Sequence, residues 1–216
     1  MDQHHDHDDH LDKRRLDRML FFTDAVFAIV LTLLVLELKP PVGATAAERA
    51  AALEALIGPM FAFVLSFAIV AIFWVAHLAT TQRLLRFDWP VTIVNLIFLL
   101  PMCLVPFVSA WMGSALSGPE PWAAYDLVMI ACSVGNAILV FIQSRGGGRL
   151  MAGGMTTRER FYRLGRAISP GLSFAVGLVG ALEGYVRYSQ FCWVLIPVFL
   201  TVFQLFLKPR PAPEPA

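Results

Sequence analysis

Long apolar runs separated by short polar or Gly/Pro-rich stretches set the pattern of the chain. Six such runs cover about 19–38, 56–79, 90–112, 122–143, 167–187 and 189–208. A helix needs roughly 20 apolar residues to cross about 30 Å of hydrocarbon, whereas a barrel strand needs only roughly 9–11. Backbone groups in lipid find no water, so spans of this length close their hydrogen bonds internally, as helices. The expected fold is an all-α membrane protein with six transmembrane helices within residues 16–208. A charged, disordered tail is expected at 1–15 and a Pro-rich tail at 209–216.

Between the runs, Pro40 and Pro41 close the first helix, and the Ala-rich stretch that follows suits a short interfacial helix. Trp89 and Pro90 suit a membrane interface and a helix start. The longest link, "SRGGGRLMAGGMTTRERFYRLGR", is expected to be flexible in its Gly-rich part. Its basic residues follow the topology rule, and they also suit anionic headgroups.

Composition agrees with a membrane protein. Only 15% of residues are charged, against roughly 25% in soluble domains. The net charge of +1 offers no basis for a nucleic-acid partner. Its distribution is more informative: 14 of the 17 Lys and Arg residues lie before the first run, in the second and fourth links or after the last run. Only Lys39, Arg49 and Arg187 fall on the other side. The positive-inside rule then puts both termini in the cytoplasm. The acidic start "MDQHHDHDDH" lacks the basic n-region of a signal peptide. His4, His5, His7 and His10 alternate there with aspartates but have no scaffold to fix a metal geometry, so no metal site is expected. Cys103, Cys132 and Cys192 fall inside runs and read as small hydrophobes.

The first run carries polar groups that need an explanation. In "RMLFFTDAVFAIVLTLLVLELKPP" a carboxylate, Asp24, lies beside Thr23 inside the apolar stretch. Taking Ile29 as zero and about 100° per residue, Leu33 and Leu36 lie within roughly 40° of it, with Thr32 on the flank. Thr23 and Asp24 lie near about +120° and −140°, on the back of the helix. A carboxylate in hydrocarbon is costly and should meet a partner. Asp24, His77 and Asn95 all fall about 8–9 Å from the same end of their runs. Asp24 and Thr23 are therefore expected to bond His77, with Trp74 and Asn95 nearby and Ser66 in the same sector of the second helix. Two roles are open for this layer: interhelical packing, or a proton relay or ion site using Asp24 and His77. Asp126 is read as a charge near an outer mouth, and Glu183 with Arg187 as a local ion pair.

Arg18, three residues, Phe22-Thr23-Asp24 and then "AVFAIVLTLLVLEL" together resemble the signature of the transmembrane protein 175 family. These are potassium channels of prokaryotes and of animal lysosomes. The family's usual form is Phe-Ser-Asp, and Thr23 keeps the hydroxyl. The stretch "SFAIVAIFWVAHLATTQRLLRFDWPVTIVNLIFLLPMCLVPF" carries the family's spaced Ser, Trp, His and Asn and its Pro-Phe, so the resemblance covers residues 18–107. The last three runs carry no diagnostic motif.

The resemblance implies a homotetramer in the prokaryotic cell membrane, permeant K⁺, no cofactor and no enzymatic activity. It implies that the first helix of each subunit lines a central pore, with a hydrophobic constriction at Ile29, further layers at Leu33 and Leu36, and selectivity at Thr32. Arg18, Phe22, Thr23, Asp24, Ser66, Trp74, His77 and Asn95 would form the structural polar network. No TVGYG carbonyl filter is present, so side-chain layers and pore width would set the preference for potassium. The rival class is a proton-coupled transporter using Asp24 and His77, against which stands the lack of inverted-repeat or broken-helix signals. A third, an intramembrane enzyme, lacks a nucleophile or metal-ligand motif.

Overall fold

The computed structural model describes residues 2–208, with side chains from residue 10 onward. Six helical segments are long and apolar enough to cross a membrane, as the hydropathy pattern predicts.

Helix α1 (Asp2–Leu36) is longer than its apolar run. The charged stretch expected to be disordered is instead its first turns. Arg15 pairs with Asp12 one turn away (3.5 Å), and acidic residues near a helix N-terminus complement its dipole. The expected tail at 209–216, and the side chains of His4, His5 and His7, lie outside the described residues. Helix α1 ends before Pro40. The interfacial helix follows as α2 (Ala46–Ala55). Its capping box is complete: Glu48 N donates to Thr45 Oγ1 (3.2 Å), and Thr45 N donates to Glu48 Oε2 (3.3 Å). A bend at Leu56 leads into α3 (Ile57–Thr81).

The third run is two helices, α4 (Trp89–Cys103) and α5 (Val105–Ser114), with Asp88 capping the first. Pro106 has no N–H for the carbonyl four residues back, which breaks the ladder at Leu104. The last run breaks for the same reason before Pro197. It forms α9 after the next spans, running Val186–Phe191, then a 3₁₀ turn at Cys192–Val194, then α10 (Leu195–Leu207).

Between them lie α6 (Pro119–Gln143), a short turn α7 (Arg145–Gly148) and α8 (Thr157–Leu182). Helix α8 starts ten residues before its apolar run because Thr156 caps it, accepting from Glu159 N (3.2 Å). Half of the basic link is therefore helix. The Gly-rich half is a built loop rather than a flexible one. Leu85 N donates to Leu150 O and Ala152 N to Arg83 O, both at 2.9 Å, in an isolated antiparallel bridge. Gly148 adopts φ 76°, and a Cβ there would meet Met155 N at 2.9 Å, so glycine is required. Glu159 ties this loop down by bonding both Arg83 and Arg163.

Small residues bring α6 and α8 together. Ser133 Oγ donates to Ala167 O and accepts from Gly171 N, both at 2.8 Å. The hydroxyl is thus inserted where α8 would otherwise close its own hydrogen bond. Such small-residue seams are the usual membrane substitute for a hydrophobic driving force. The main apolar core runs through Phe27, Phe73, Phe98, Tyr125, Met129 and Phe174. A second cluster, including Leu16, Met19, Leu84 and Met151, seals the basic end under the loop.

Candidate functional site

Helix α1 presents two faces. Leu16, Met19, Thr23, Phe27, Val30 and Leu34 are buried against α3, α4 and α5, spaced three and four apart as one helical stripe. The sequence-derived stripe is uncovered: Ile29 is 56% exposed, Leu33 40% and Leu36 72%. Thr32 lies with them, exposed, its hydroxyl donating to a carbonyl of its own helix (Ala28 O at 3.0 Å or Ile29 O at 2.9 Å). That proton is committed inward, which leaves the oxygen lone pairs turned outward.

The polar layer exists, with partners different from those expected. His77 Nε2–H donates to Asn95 Oδ1 (3.0 Å), Asn95 Nδ2 donates to Thr23 Oγ1 (2.7 Å), and Thr23 Oγ1 donates to Met19 O (3.0 Å). This chain of donors binds α3, α4 and α1, and every side chain in it is buried. His77 stacks on Phe98 (5.7 Å between centroids, 4° between planes) with Phe27 tilted against it at 6.1 Å. Asp24 does not bond His77. Its Oδ1 accepts from Trp74 Nε1 (3.0 Å) at the exposed edge of α1. The longer indole reaches across from α3, while the imidazole is enclosed by two phenyl rings.

Other expected members lie elsewhere. Ser66 belongs to a separate group further along α3, 2.8 Å from Ser109 Oγ and 3.2 Å from Tyr125 Oη. Arg18 and Phe22 face outward, away from the layer. Asp126 is fully buried rather than at a mouth, and it accepts from Ser189 Oγ with Cys192 Sγ beside it. The signal for this was Ser189 and Cys192, one turn apart. Glu183 and Arg187 flank a turn at Gly184 (φ 81°) and do not pair with each other. Cys132 and Cys192 are buried free thiols, whereas Cys103 is exposed. Among the described residues no three His, Cys, Asp or Glu side chains converge as a metal site.

The Asp24–Trp74 bond has a measurable consequence. Trp74→Phe keeps an aromatic ring but removes the donor, so the attachment of α1 should weaken by about 1 kcal/mol, below the roughly 1.5–3 kcal/mol of a hydrogen bond to a charged group because the pair is exposed. Thermal unfolding of the purified chain in mild detergent reads the change, and an unshifted curve would mean that the bond does not hold α1.

These features define a multi-pass helical membrane protein whose first helix is pinned by polar bonds on one side and open on the other. Residues 18–106 match the model of the family described as the endosomal/lysosomal potassium channel TMEM175. A protein from Streptomyces collinus named as a potassium channel is 32% identical over 189 residues, covering 80% of this chain and 92% of the relative. Another so named, from Chryseobacterium sp. (strain P1-3), is 29% identical over 160 residues, covering 70% of this chain and 81% of its own. The chain belongs to the TMEM175 family. Its fold is similar to the crystal structure of a lysosomal potassium-selective channel TMEM175 homologue from Chamaesiphon minutus. The TM-score is 0.73 at 23% identity, over 88% of this chain and 98% of that one.

Proposed function

We propose that the protein is a potassium-selective cation channel, a homotetramer whose α1 helices surround one pore. The supporting observation is the two-faced α1. Its inner stripe is locked into the subunit, while Ile29, Leu33, Leu36 and the outward lone pairs of Thr32 are left uncovered. One such helix encloses nothing, so a pore needs several copies about an axis. Four Ile29 side chains form the constriction, an apolar ring that excludes hydrated ions by dewetting. Thr32 oxygens offer a layer that replaces part of the hydration shell of K⁺. The partly exposed Asp24 agrees with assembly, because a carboxylate facing lipid is costly and one facing a neighbouring chain or water is not. The basic end faces the cytoplasm and the protein sits in the cell membrane. The Trp74 and Asn95 contacts favour a structural role for the polar layer over a relay between Asp24 and His77.

The test is ion flux through purified protein in liposomes, potassium against sodium, for wild type and Thr32→Ala. Passive flux that prefers potassium, with the preference reduced by Thr32→Ala, is expected. Flux that requires a proton gradient, or no flux from folded protein, would sink the channel reading.

A further inference from the structure

A cleft of about 580 Å³ lies between α3 and α8, floored by α6, away from the exposed stripe of α1. It follows α3 for about 16 Å, from Ala71 to Gln82. Its chemistry is graded along that length. Towards Ala71 the α3 wall is apolar, with Ile72, Phe73 and Val75; towards Gln82 the facing wall of α8 carries Tyr162, Arg163 and Arg166. Arg163 is bound to Glu159, and Arg83 bonds the same carboxylate from the other side, so the acid is more than neutralised. Arg166 pairs with no carboxylate among the described residues. Its Nη1 donates to Tyr162 Oη (3.1 Å), and its guanidinium sits 5.6 Å from the centre of that ring. The guanidinium is held in place with most of its donors unused.

On the floor of the cleft is Asn136, only 1% exposed, whose Oδ1 has no hydrogen-bond partner. A buried, unpaired amide is costly unless something outside the chain satisfies it. A half-turn of the amide presents its NH₂ to the same space. The α6–α8 register puts it close to the arginines. Ser133, one turn earlier on α6, meets Ala167 and Gly171, so Asn136 lies near the level of Arg166.

The geometry points to a binding site for one anionic phospholipid. Its phosphate is held by Arg166 and Arg163 at the basic end, its polar backbone by Asn136, and an acyl chain lies along the apolar wall of α3. Basic side chains at the end of an apolar cleft between membrane helices are the electrostatic complement of such a headgroup. The site lies along α3, the helix that holds α1 through Trp74 and through the His77–Asn95–Thr23 bonds.

Native mass spectrometry of the detergent-solubilised full chain tests this, with phosphatidylglycerol, phosphatidylcholine and inorganic phosphate as probes. Phosphatidylglycerol should bind about tenfold more tightly than phosphatidylcholine, and Arg166→Ala should remove about that factor, as loss of a charge-assisted contact does. Asn136→Leu removes an unpaired polar group, so it should fold as well as wild type by size exclusion yet bind phosphatidylglycerol several-fold more weakly. Equal binding by wild type and both variants, or equal binding of the two lipids, overturns the site. Competition by inorganic phosphate at lipid concentrations would make it a free-anion site instead. A photo-crosslinker at position 166 that captures a second copy of the chain rather than lipid would make it a subunit interface.

Discussion

If four Ile29 side chains form the proposed constriction, Ile29→Ala should raise passive potassium flux on the order of tenfold, the gain from lowering a barrier by about 1.4 kcal/mol. Ile29 is 56% exposed in the subunit, so its truncation costs the fold little, within about 0.5 kcal/mol for a surface change. Any effect on conduction therefore comes from what the side chain does beyond its own subunit. In a narrow apolar ring, smaller side chains admit water, and hydrated ions follow. Phe27→Ala is the contrast, two residues away on the buried side at 1% exposure. It should cost about 3–5 kcal/mol through the cavity it leaves and reduce the yield of folded protein. Liposome flux with both variants separates the two faces. Unchanged flux from folded Ile29→Ala channels would mean that the narrowest point lies elsewhere.

Asn95→Leu should destabilise the subunit by about 2–4 kcal/mol. Asn95 is the middle link between His77 and Thr23, and leucine breaks both bonds at once. An average interhelical bond in a membrane contributes only about 0.6 kcal/mol. The larger share comes from His77, 2% exposed and left without its polar partner, since an unsatisfied buried group costs about 1–3 kcal/mol. Denaturation in mild detergent, followed by loss of the helical signal, reads the change. A shift under about 0.5 kcal/mol would mean that the layer contributes little and that apolar packing alone holds α1.

The sequence made the spans legible because hydropathy integrates over many residues. The second and fourth runs lie close to α3 and α6, whereas α1 begins well before its run. Hydropathy missed the early start of α8, where the first ten residues are mostly polar and only the Thr156 cap and Glu159 announce a helix. Within the third and last runs hydropathy is continuous, and the breaks come from Pro106 and Pro197, which remove a donor without lowering hydrophobicity. For the polar layer, angle and depth identified the right neighbourhood: Thr23, Asn95 and His77 do meet, and Asp24 does meet α3. They could not decide which side chain on α3 takes the carboxylate, because that depends on side-chain length and on the rings enclosing His77. Asp126 was misread because its run ends nearby, whereas α9 folds over and supplies Ser189. The face holding Ile29, Leu33 and Leu36 was available from periodicity alone, but its meaning came from the resemblance.

The hydroxyl of Ser133, wedged into the ladder of α8, has a mechanical consequence. Sliding α8 along α6 would take the Ser133 hydroxyl away from both Ala167 O and Gly171 N in a medium without water to replace it. The two helices are therefore bolted rather than greased. With Asp126 fastened to α9 by Ser189, the last three spans act as a chassis. The third span is packed on α6 as well, so the compliance of the subunit is left to α1, held by one apolar stripe and a few hydrogen bonds.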